Sequence, residues 1–293
     1  MAPDVEIEVT ADLVRALLAD QAPHFTQFAI TPVASGWDNA VFRLGDAYAV
    51  RLPVRAAAAQ LVVHEQLWLP VVAARLDLPV PVPVVNGVAG QGYPWSWSVV
   101  RWLEGETVAT VPVAGRHDIA GDLGAVLAEL HREAPADAPP NDFRGIPLAQ
   151  REALDRGRLE MLATSEPDTA AVLRTSLEEG LSAPRWNGPD LWVHGDPHPL
   201  NLLTDGRRLT GLIDFGDIGA GDPASDLATA WLSFDSDGRR RFLEAYAGSG
   251  HLDDALWTRG RGWAAALSLA FLTVGGPDGA LHDVARHAVR QLA

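Results

Sequence analysis

The spacing of hydrophobic residues changes partway along this chain. Short runs of apolar and strand-favouring residues at 28–33, 40–44, 48–52, 82–85 and 95–102 predict five strands, and helical spacing at 10–20 and 56–76 predicts two helices. Beyond residue 105 the spacing is helical at 119–132, 148–162, 170–181, 223–234, 239–247, 253–274 and 281–292. The pattern predicts an α+β chain with a small five-stranded lobe, residues 1–103, and a larger, mostly helical lobe, residues 104–293. We expect Pro70 to break or kink the second helix.

One polar stretch interrupts the helical part of the chain. The apolar run 191–193 breaks at His194-Gly195-Asp196, and a second apolar run, 209–213, leads into Asp214. Asp196 supplies a carboxylate that can orient the proton of an attacking hydroxyl group, and Asn201 and Asp214 supply hard oxygen donors that suit Mg²⁺. The order of these three residues follows the catalytic core of protein kinases. The stretch therefore predicts phosphoryl transfer.

The charge and residue content of the chain limit which kinds of molecule it is expected to bind. The chain carries 38 acids against 23 bases, a net charge of −15, which makes nucleic acid an unfavourable partner and a cationic small molecule a favourable one. All 23 bases are arginines, so a role that lysine usually takes must fall to another residue. The chain has no cysteine, no basic-then-apolar leader, and no apolar run long enough to span a bilayer. We expect a cytoplasmic protein that binds no membrane.

Three motifs resemble those of the aminoglycoside phosphotransferase family, which shares a two-lobed fold with protein kinases. They are His194-Gly195-Asp196-Pro197-His198-Pro199-Leu200-Asn201, Leu212-Ile213-Asp214-Phe215 and Gly221-Asp222-Pro223-Ala224-Ser225-Asp226-Leu227-Ala228. The resemblance implies ATP or GTP as the phosphate donor, Mg²⁺ on Asn201 and Asp214, and a hydroxyl acceptor on a small molecule. Asp196 would orient that hydroxyl. His198, at the position where protein kinases have lysine, would either hydrogen-bond the transferred phosphate or help to hold the loop.

The predicted nucleotide site departs from the protein-kinase pattern. Arg51 stands where kinases have the phosphate-binding lysine of V-A-I-K, and Glu65 would be its ion-pair partner on the following helix. No glycine-rich loop is present; Ser35 and Gly36 occupy its place between the first two strands. By position, the connector around Val100 and Trp102 would meet the nucleobase.

The acceptor is the least determined part of the prediction. Asp217 and Asp235 make the later helices acidic, and Trp231 lies in the same segment, which favours an amine-bearing acceptor of the aminoglycoside type. The same residues also suit a macrolide. A peptide antibiotic, a metabolic alcohol such as choline or homoserine, and a pseudokinase that binds without catalysis remain as alternatives.

Overall fold

The computed structural model of this chain describes residues 5–35, 38–274 and 279–293. Its N-terminal part contains a five-stranded antiparallel sheet with the strand order β1-β2-β3-β5-β4. The strands are β1 (Ile30–Ser35), β2 (Asn39–Leu44), β3 (Tyr48–Pro53), β4 (Pro83–Gly87) and β5 (Trp97–Arg101), and the helices are α1 (Ala11–Gln21) and α2 (Ala56–Ala73).

The core of this lobe lies between the sheet and α1. Burial alternates along β2, as expected for a strand with one face on a core. Leu17 and Leu18 of α1 pack in one cluster with Phe42, Leu52 and Trp97 of the sheet. The side chain of Thr10 accepts a hydrogen bond from the Leu13 amide, and this N-cap fixes where α1 begins.

Helix α2 carries one charged group into the cleft between sheet and helices. Glu65, in the middle of α2, is 2% exposed. Helix α2 is not broken at Pro70, because it continues through Pro70 to Ala73; a kink there stays a prediction. The proline ring removes the one hydrogen bond that an amide at this position would donate to the carbonyl four residues back.

The C-terminal part is mostly helical, with short strands inserted around the polar stretch. The helices are α3 (His117–Leu130), α4 (Glu152–Ser165), α5 (Pro167–Ser182), α6 (Ala224–Leu227), α7 (Thr229–Ser233), α8 (Ser236–Tyr246), α9 (Asp254–Val274) and α10 (Ala280–Leu292). The strands are β6 (Glu106–Thr107), β7 (Leu191–Val193), β8 (Leu202–Thr204), β9 (Leu209–Leu212) and β10 (Gly219–Gly221). β6, β8 and β9 form one small sheet, and β7 pairs with β10.

The segment 223–234 differs from its prediction as a single helix. It forms α6 and α7, separated at Ala228. The Asp226 amide donates to the Pro223 carbonyl and the Trp231 amide to the Ala228 carbonyl, three residues back, so the first turns of α6 and α7 both contain tighter bonds.

The α+β class with a five-stranded lobe and a helical lobe is confirmed. The boundary between residues 103 and 104 stays a prediction. Among the described residues, no helix combines the length and apolar character needed to cross a bilayer.

Two glycines set how closely α5 and α9 approach. A Cβ atom on Gly180 would lie 2.6 Å from the Cα of Gly262, so we expect Gly180→Ala to destabilise the protein by about 1–3 kcal/mol through overpacking. Gly157 is the control, since it is exposed in α4 and a Cβ there meets nothing within 4 Å. Gly157→Ala should raise stability by about 0.5–1 kcal/mol. Urea unfolding measures both; equal effects would contradict the close-approach explanation.

Candidate active site

The loop after β7 is built around a histidine that faces inward. His194 is fully buried, and burial lowers its pKa, which favours the neutral imidazole. In the tautomer that satisfies both contacts, Nε2 donates to the Ile213 carbonyl at 3.0 Å and Nδ1 accepts from the Asp196 amide at 3.1 Å. The ring also packs on Phe215. His194 therefore ties the loop to the segment that carries Asp214.

The next residue must be glycine. Gly195 has φ +93°, and a Cβ atom there would lie 2.6 Å from both the Cβ and the carbonyl oxygen of Asp217. Both the backbone conformation and the close approach exclude a side chain. Gly195 thus lets the loop and the segment after Phe215 lie against each other.

A buried carboxylate fixes the backbone of this loop. Asp226 accepts from the His194 amide at 2.7 Å and from the Gly195 amide at 2.8 Å. The same carboxylate lies 3.1 Å from Nε2 of His131, whose Nδ1 lies 2.7 Å from the Tyr246 hydroxyl. All of these side chains are buried, so the network leaves the loop little freedom.

Asp196 lies between two cationic groups. Its Oδ2 is 3.3 Å from Nε2 of His198 and its Oδ1 is 3.5 Å from Nη2 of Arg144. Burial alone would raise the pKa of Asp196, but His198 and Arg144 outweigh it and hold that pKa well below the usual range. Burial alone would lower the pKa of His198, and the Asp196 carboxylate outweighs it and raises that pKa. Each member of the pair therefore favours the charged form of the other.

Arg144 is a site residue that the sequence motifs did not indicate. It lies in the connection between α3 and α4, far from Asp196 along the chain, and its Nε donates to the Gly195 carbonyl at 2.7 Å. The short Asn141-Asp142 turn before it was the available signal, but nothing in its spacing points to the loop after β7.

Asn201 is hydrogen-bonded both to Asp196 and to Ile213, the residue before Asp214. The Asn201 side-chain amide donates to the Asp196 carbonyl at 2.9 Å, and its backbone carbonyl accepts from Ile213, next to Asp214. Asp214 adopts the left-handed conformation, φ 64° and ψ 65°, and its side chain is 54% exposed. This strained residue turns its carboxylate out of the β9 ladder and into the cleft.

The two residues fit a Mg²⁺ ion that arrives with nucleotide phosphates. The Asn201 side-chain nitrogen donates to the Asp196 carbonyl, which leaves its Oδ1 as the atom that would bind a metal ion. Among the described residues there is no cluster of three or more acidic, His or Cys side chains that could hold a metal on its own. Mg²⁺ with one or two protein oxygens and phosphate oxygens needs no such cluster.

Arg51 joins the two lobes across the cleft. Its Nη1 lies 2.5 Å from Oε1 of Glu65, and its Nη2 lies 2.9 Å from Oδ1 of Asp214. Burial alone would lower the pKa of Arg51, but the two carboxylates outweigh it and raise that pKa. A planar guanidinium can bind both partners at once through different nitrogens. Its predicted role on nucleotide phosphates stays a prediction.

The remaining predicted nucleotide residues stay predictions. Gly36 lies outside the described residues; the Ser35 backbone pairs with Ala40 at the end of β1. Val100 is buried in β5, and the amide of Trp102 donates to the Ala47 carbonyl. Trp102 therefore extends the strand pairing into the connector. The guanidinium carbon of Arg43 lies over its ring, 4.1 Å from the ring centroid.

The structure separates the three predicted acceptor residues. Asp217 lies beside Asp196, 4.0 Å from Nη2 of Arg144, and burial, together with Asp196, raises its pKa. Asp235 caps α8 and pairs with His117 at 3.1 Å, and Trp231 is 4% exposed and packs on Trp257. Within the described part of the chain, no hydrogen bond or ion pair links Asp235 or Trp231 to Asp196. Acceptor binding by all three stays a prediction.

A family model described as the APH phosphotransferase enzyme family matches residues 29–263 of this chain. A homoserine kinase of Pseudomonas aeruginosa is 30% identical over 204 residues, which cover 58% of this chain and 60% of that kinase. The chain spans less than two thirds of the length of the curated relatives it matches.

Solved structures share the fold. The GDP complex of wild-type aminoglycoside 2'-phosphotransferase-IIIa has a TM-score of 0.68 at 18% identity, with 95% of this chain and 96% of that chain covered. A macrolide 2'-phosphotransferase from Brachybacterium faecium, solved as the apoenzyme, has a TM-score of 0.62 at 23% identity, with 95% and 97% covered. Both likenesses support the predicted two-lobed, kinase-like architecture.

The coupling of His198 to Asp196 can be measured without any substrate. We expect the imidazole pKa of His198 to lie above the ordinary value of about 6.5 in the native protein and to fall in Asp196→Asn, because burial then acts without the opposing carboxylate. NMR titration of the histidine ring protons measures both values. Asp118→Asn, at an exposed pair with Arg241, is the control and should leave His198 unchanged. An unchanged His198 pKa in Asp196→Asn would contradict the ion pair.

Proposed function

Because the chain belongs to the APH phosphotransferase enzyme family, we propose that it transfers the γ-phosphate of ATP or GTP to a hydroxyl group of a small-molecule acceptor. One observation carries the proposal: Asp196, Asn201 and Asp214 lie in a single hydrogen-bonded unit, held by Asp226 from below and facing Arg51 across the cleft. This is the set of groups that phosphoryl transfer needs in one place.

The reaction assigns a distinct task to each side chain. The acceptor oxygen forms a bond to the γ-phosphorus while the bond from that phosphorus to the β,γ-bridging oxygen breaks. The electron pair of the broken bond stays with the nucleoside diphosphate, and the acceptor proton passes to Asp196. Because the pKa of Asp196 is low, its carboxylate orients the hydroxyl and takes the proton late, which suits a loose transition state.

Charge on the phosphates is offset by groups around the cleft. Mg²⁺, when bound, neutralises phosphate charge, and Asn201 Oδ1 and the exposed Asp214 carboxylate would hold it. The Arg51 guanidinium approaches from the sheet, and His198, whose pKa the Asp196 carboxylate raises, approaches from the loop after β7. In a chain without lysine, these two residues take the positions that lysines hold in protein kinases.

The first candidate acceptor is an amine-bearing antibiotic of the aminoglycoside type. Asp217 supports it, since its partly exposed carboxylate lies next to Asp196, where an ammonium group beside the reacting hydroxyl would be attracted. The net charge of −15 favours the approach of any polycation.

A specific observation favours a second candidate with one amine or none, such as a macrolide. Both acids that the sequence offers for an amine-bearing acceptor already have partners in the protein: Asp217 faces Arg144 and Asn141, and Asp235 faces His117. Carboxylates that are paired within the protein attract a polyamine less strongly than free ones. Homoserine and choline are smaller alternatives of the same low charge.

A screen for nucleotide-dependent transfer tests the function. We expect release of nucleoside diphosphate from ATP or GTP with at least one acceptor among aminoglycosides, macrolides, tuberactinomycin-type peptides, choline and homoserine. Asp196→Asn should lower kcat by about 100-fold or more, because the hydroxyl loses its orienting carboxylate, while nucleotide binding persists. Asp118→Asn is the matched control and should keep full turnover.

The outcome also separates the candidates. Affinity that weakens as salt rises indicates a polycationic acceptor, and affinity insensitive to salt indicates a neutral or singly charged one. Nucleotide binding without transfer to any acceptor would point to a pseudokinase and would contradict the proposal.

The phosphate-binding role of Arg51 has its own test. Removing Arg51 alone would leave Glu65 buried without a partner, so the variant of choice is the double substitution Arg51→Gln with Glu65→Gln. We expect the Kd for ADP or GDP to rise roughly 10- to 100-fold, which corresponds to the loss of one charge-assisted contact. The control is Arg15→Gln with Asp12→Asn, which removes an exposed ion pair from the same lobe. An unchanged Kd, measured by calorimetry, would rule out the phosphate contact.

A further inference from the structure

Arg144 brings a positive charge to the centre of the candidate active site from a segment outside all three motifs. Its Nε donates to the Gly195 carbonyl at 2.7 Å, and its Nη2 lies 3.5 Å from Oδ1 of Asp196 and 4.0 Å from Oδ2 of Asp217. Only 13% of its side chain is exposed. The guanidinium therefore lies between two carboxylates at the reacting end of the loop after β7.

The segment that carries Arg144 is held at its start by Asn141. The Asn141 side-chain oxygen accepts from the amides of Phe143 and Arg144, at 2.8 and 3.0 Å, which closes a tight turn. Its side-chain nitrogen donates to the carbonyl and the carboxylate of Asp217, at 2.9 and 3.1 Å. One asparagine thus fixes both the turn before Arg144 and one of the carboxylates that Arg144 faces.

Gly145 holds the same segment at its other end. Its amide donates to the Ser225 hydroxyl at 3.2 Å, and its carbonyl accepts from the Asp222 amide at 2.7 Å. A Cβ atom on Gly221 would lie 2.1 Å from that carbonyl oxygen, so glycine at 221 is required for the contact. The Arg144 backbone is therefore anchored on the segment that follows Asp214, and its guanidinium has a defined position.

The two oxygens of Asp196 are divided between different cations. Oδ1 faces Arg144 and Oδ2 faces His198, so the plane of the carboxylate is set from both sides. Without a cation between Asp196 and Asp217, two neighbouring carboxylates would repel each other and Asp196 would turn away. A guanidinium is suited to this position, because one nitrogen can bind the backbone while another faces the carboxylates.

We propose that Arg144 is a positioning residue for phosphoryl transfer, which holds Asp196 in its productive orientation and separates it electrostatically from Asp217. The role rests on the proposed function, since Asp196 must be the group that orients the acceptor. Arg144 acts through Asp196 and contributes to turnover, whereas nucleotide binding depends on Arg51, Asn201 and Asp214 on the other side of the loop.

Arg144→Ala tests the proposal in the full-length protein. The assay is release of nucleoside diphosphate and inorganic phosphate from MgATP and MgGTP with water as the acceptor, together with calorimetric binding of ADP and GDP. We expect kcat to fall about 100-fold, as for a misplacement of about 1 Å, with the nucleotide KM and Kd within twofold of the native values. Guanidinium ion added at millimolar concentration should raise the kcat of the variant at least tenfold, because it fills the space that the side chain left beside Asp196.

Two further variants separate positioning from simple structural support. Arg144→Lys keeps the charge without the planar fork, so it should recover only part of kcat. Arg156→Ala is the matched control, because Arg156 is an exposed arginine on α4 that pairs with Glu152; it should keep native kcat and show no response to guanidinium. Where Arg144→Ala is poorly folded, Arg144→Gln is assayed with the same expected loss of kcat.

The outcomes are distinct. Native kcat in Arg144→Ala overturns the positioning role and leaves the proposed function intact. If kcat and nucleotide affinity fall equally and guanidinium reverses neither loss, Arg144 only supports the structure. That outcome also overturns the positioning role. Absence of any nucleotide turnover or transfer in the native protein overturns the proposed function and this proposal with it.

Discussion

The structure of the candidate active site depends on the carboxylate of Asp226. Its two oxygens accept hydrogen bonds from the backbone amides of His194 and Gly195. The carboxylate also contacts His131, which contacts Tyr246, so the network is buried. A buried backbone amide without an acceptor costs about 1–3 kcal/mol, so two such groups hold the loop firmly to α6. The loop after β7 is thereby fixed before any ligand arrives, which is the preorganisation that transfer chemistry requires.

Charges across the cleft alternate. Arg51 faces Glu65 and Asp214, and Arg144 faces Asp196 and Asp217, so each guanidinium lies between two carboxylates. A guanidinium between two carboxylates limits their mutual repulsion. It also lowers the net negative charge that an acceptor meets beside Asp196.

The parts of the site that depend on residues close together in the sequence could be predicted from the sequence. The loop residues 194–201 and the Asp214 strand end were recognisable because residues close in sequence create the geometry, and the five strands followed from local periodicity. At Trp231 the structure adds what the pattern does not contain, because the ring packs against Trp257 and is 4% exposed; its predicted role in acceptor binding stays a prediction. A helical pattern alone does not tell which side of α7 meets α9.

The sequence by itself determined the fold class, the phosphoryl-transfer motifs and the presence of arginine where kinases use lysine, since these depend on residue type and short spacing. Only the tertiary structure decided which charges meet. The approach of Arg144 to Asp196 and the bridge from Arg51 to Asp214 join residues far apart along the chain. Their distances depend on how the lobes and the connection between α3 and α4 pack, and no local pattern encodes that packing.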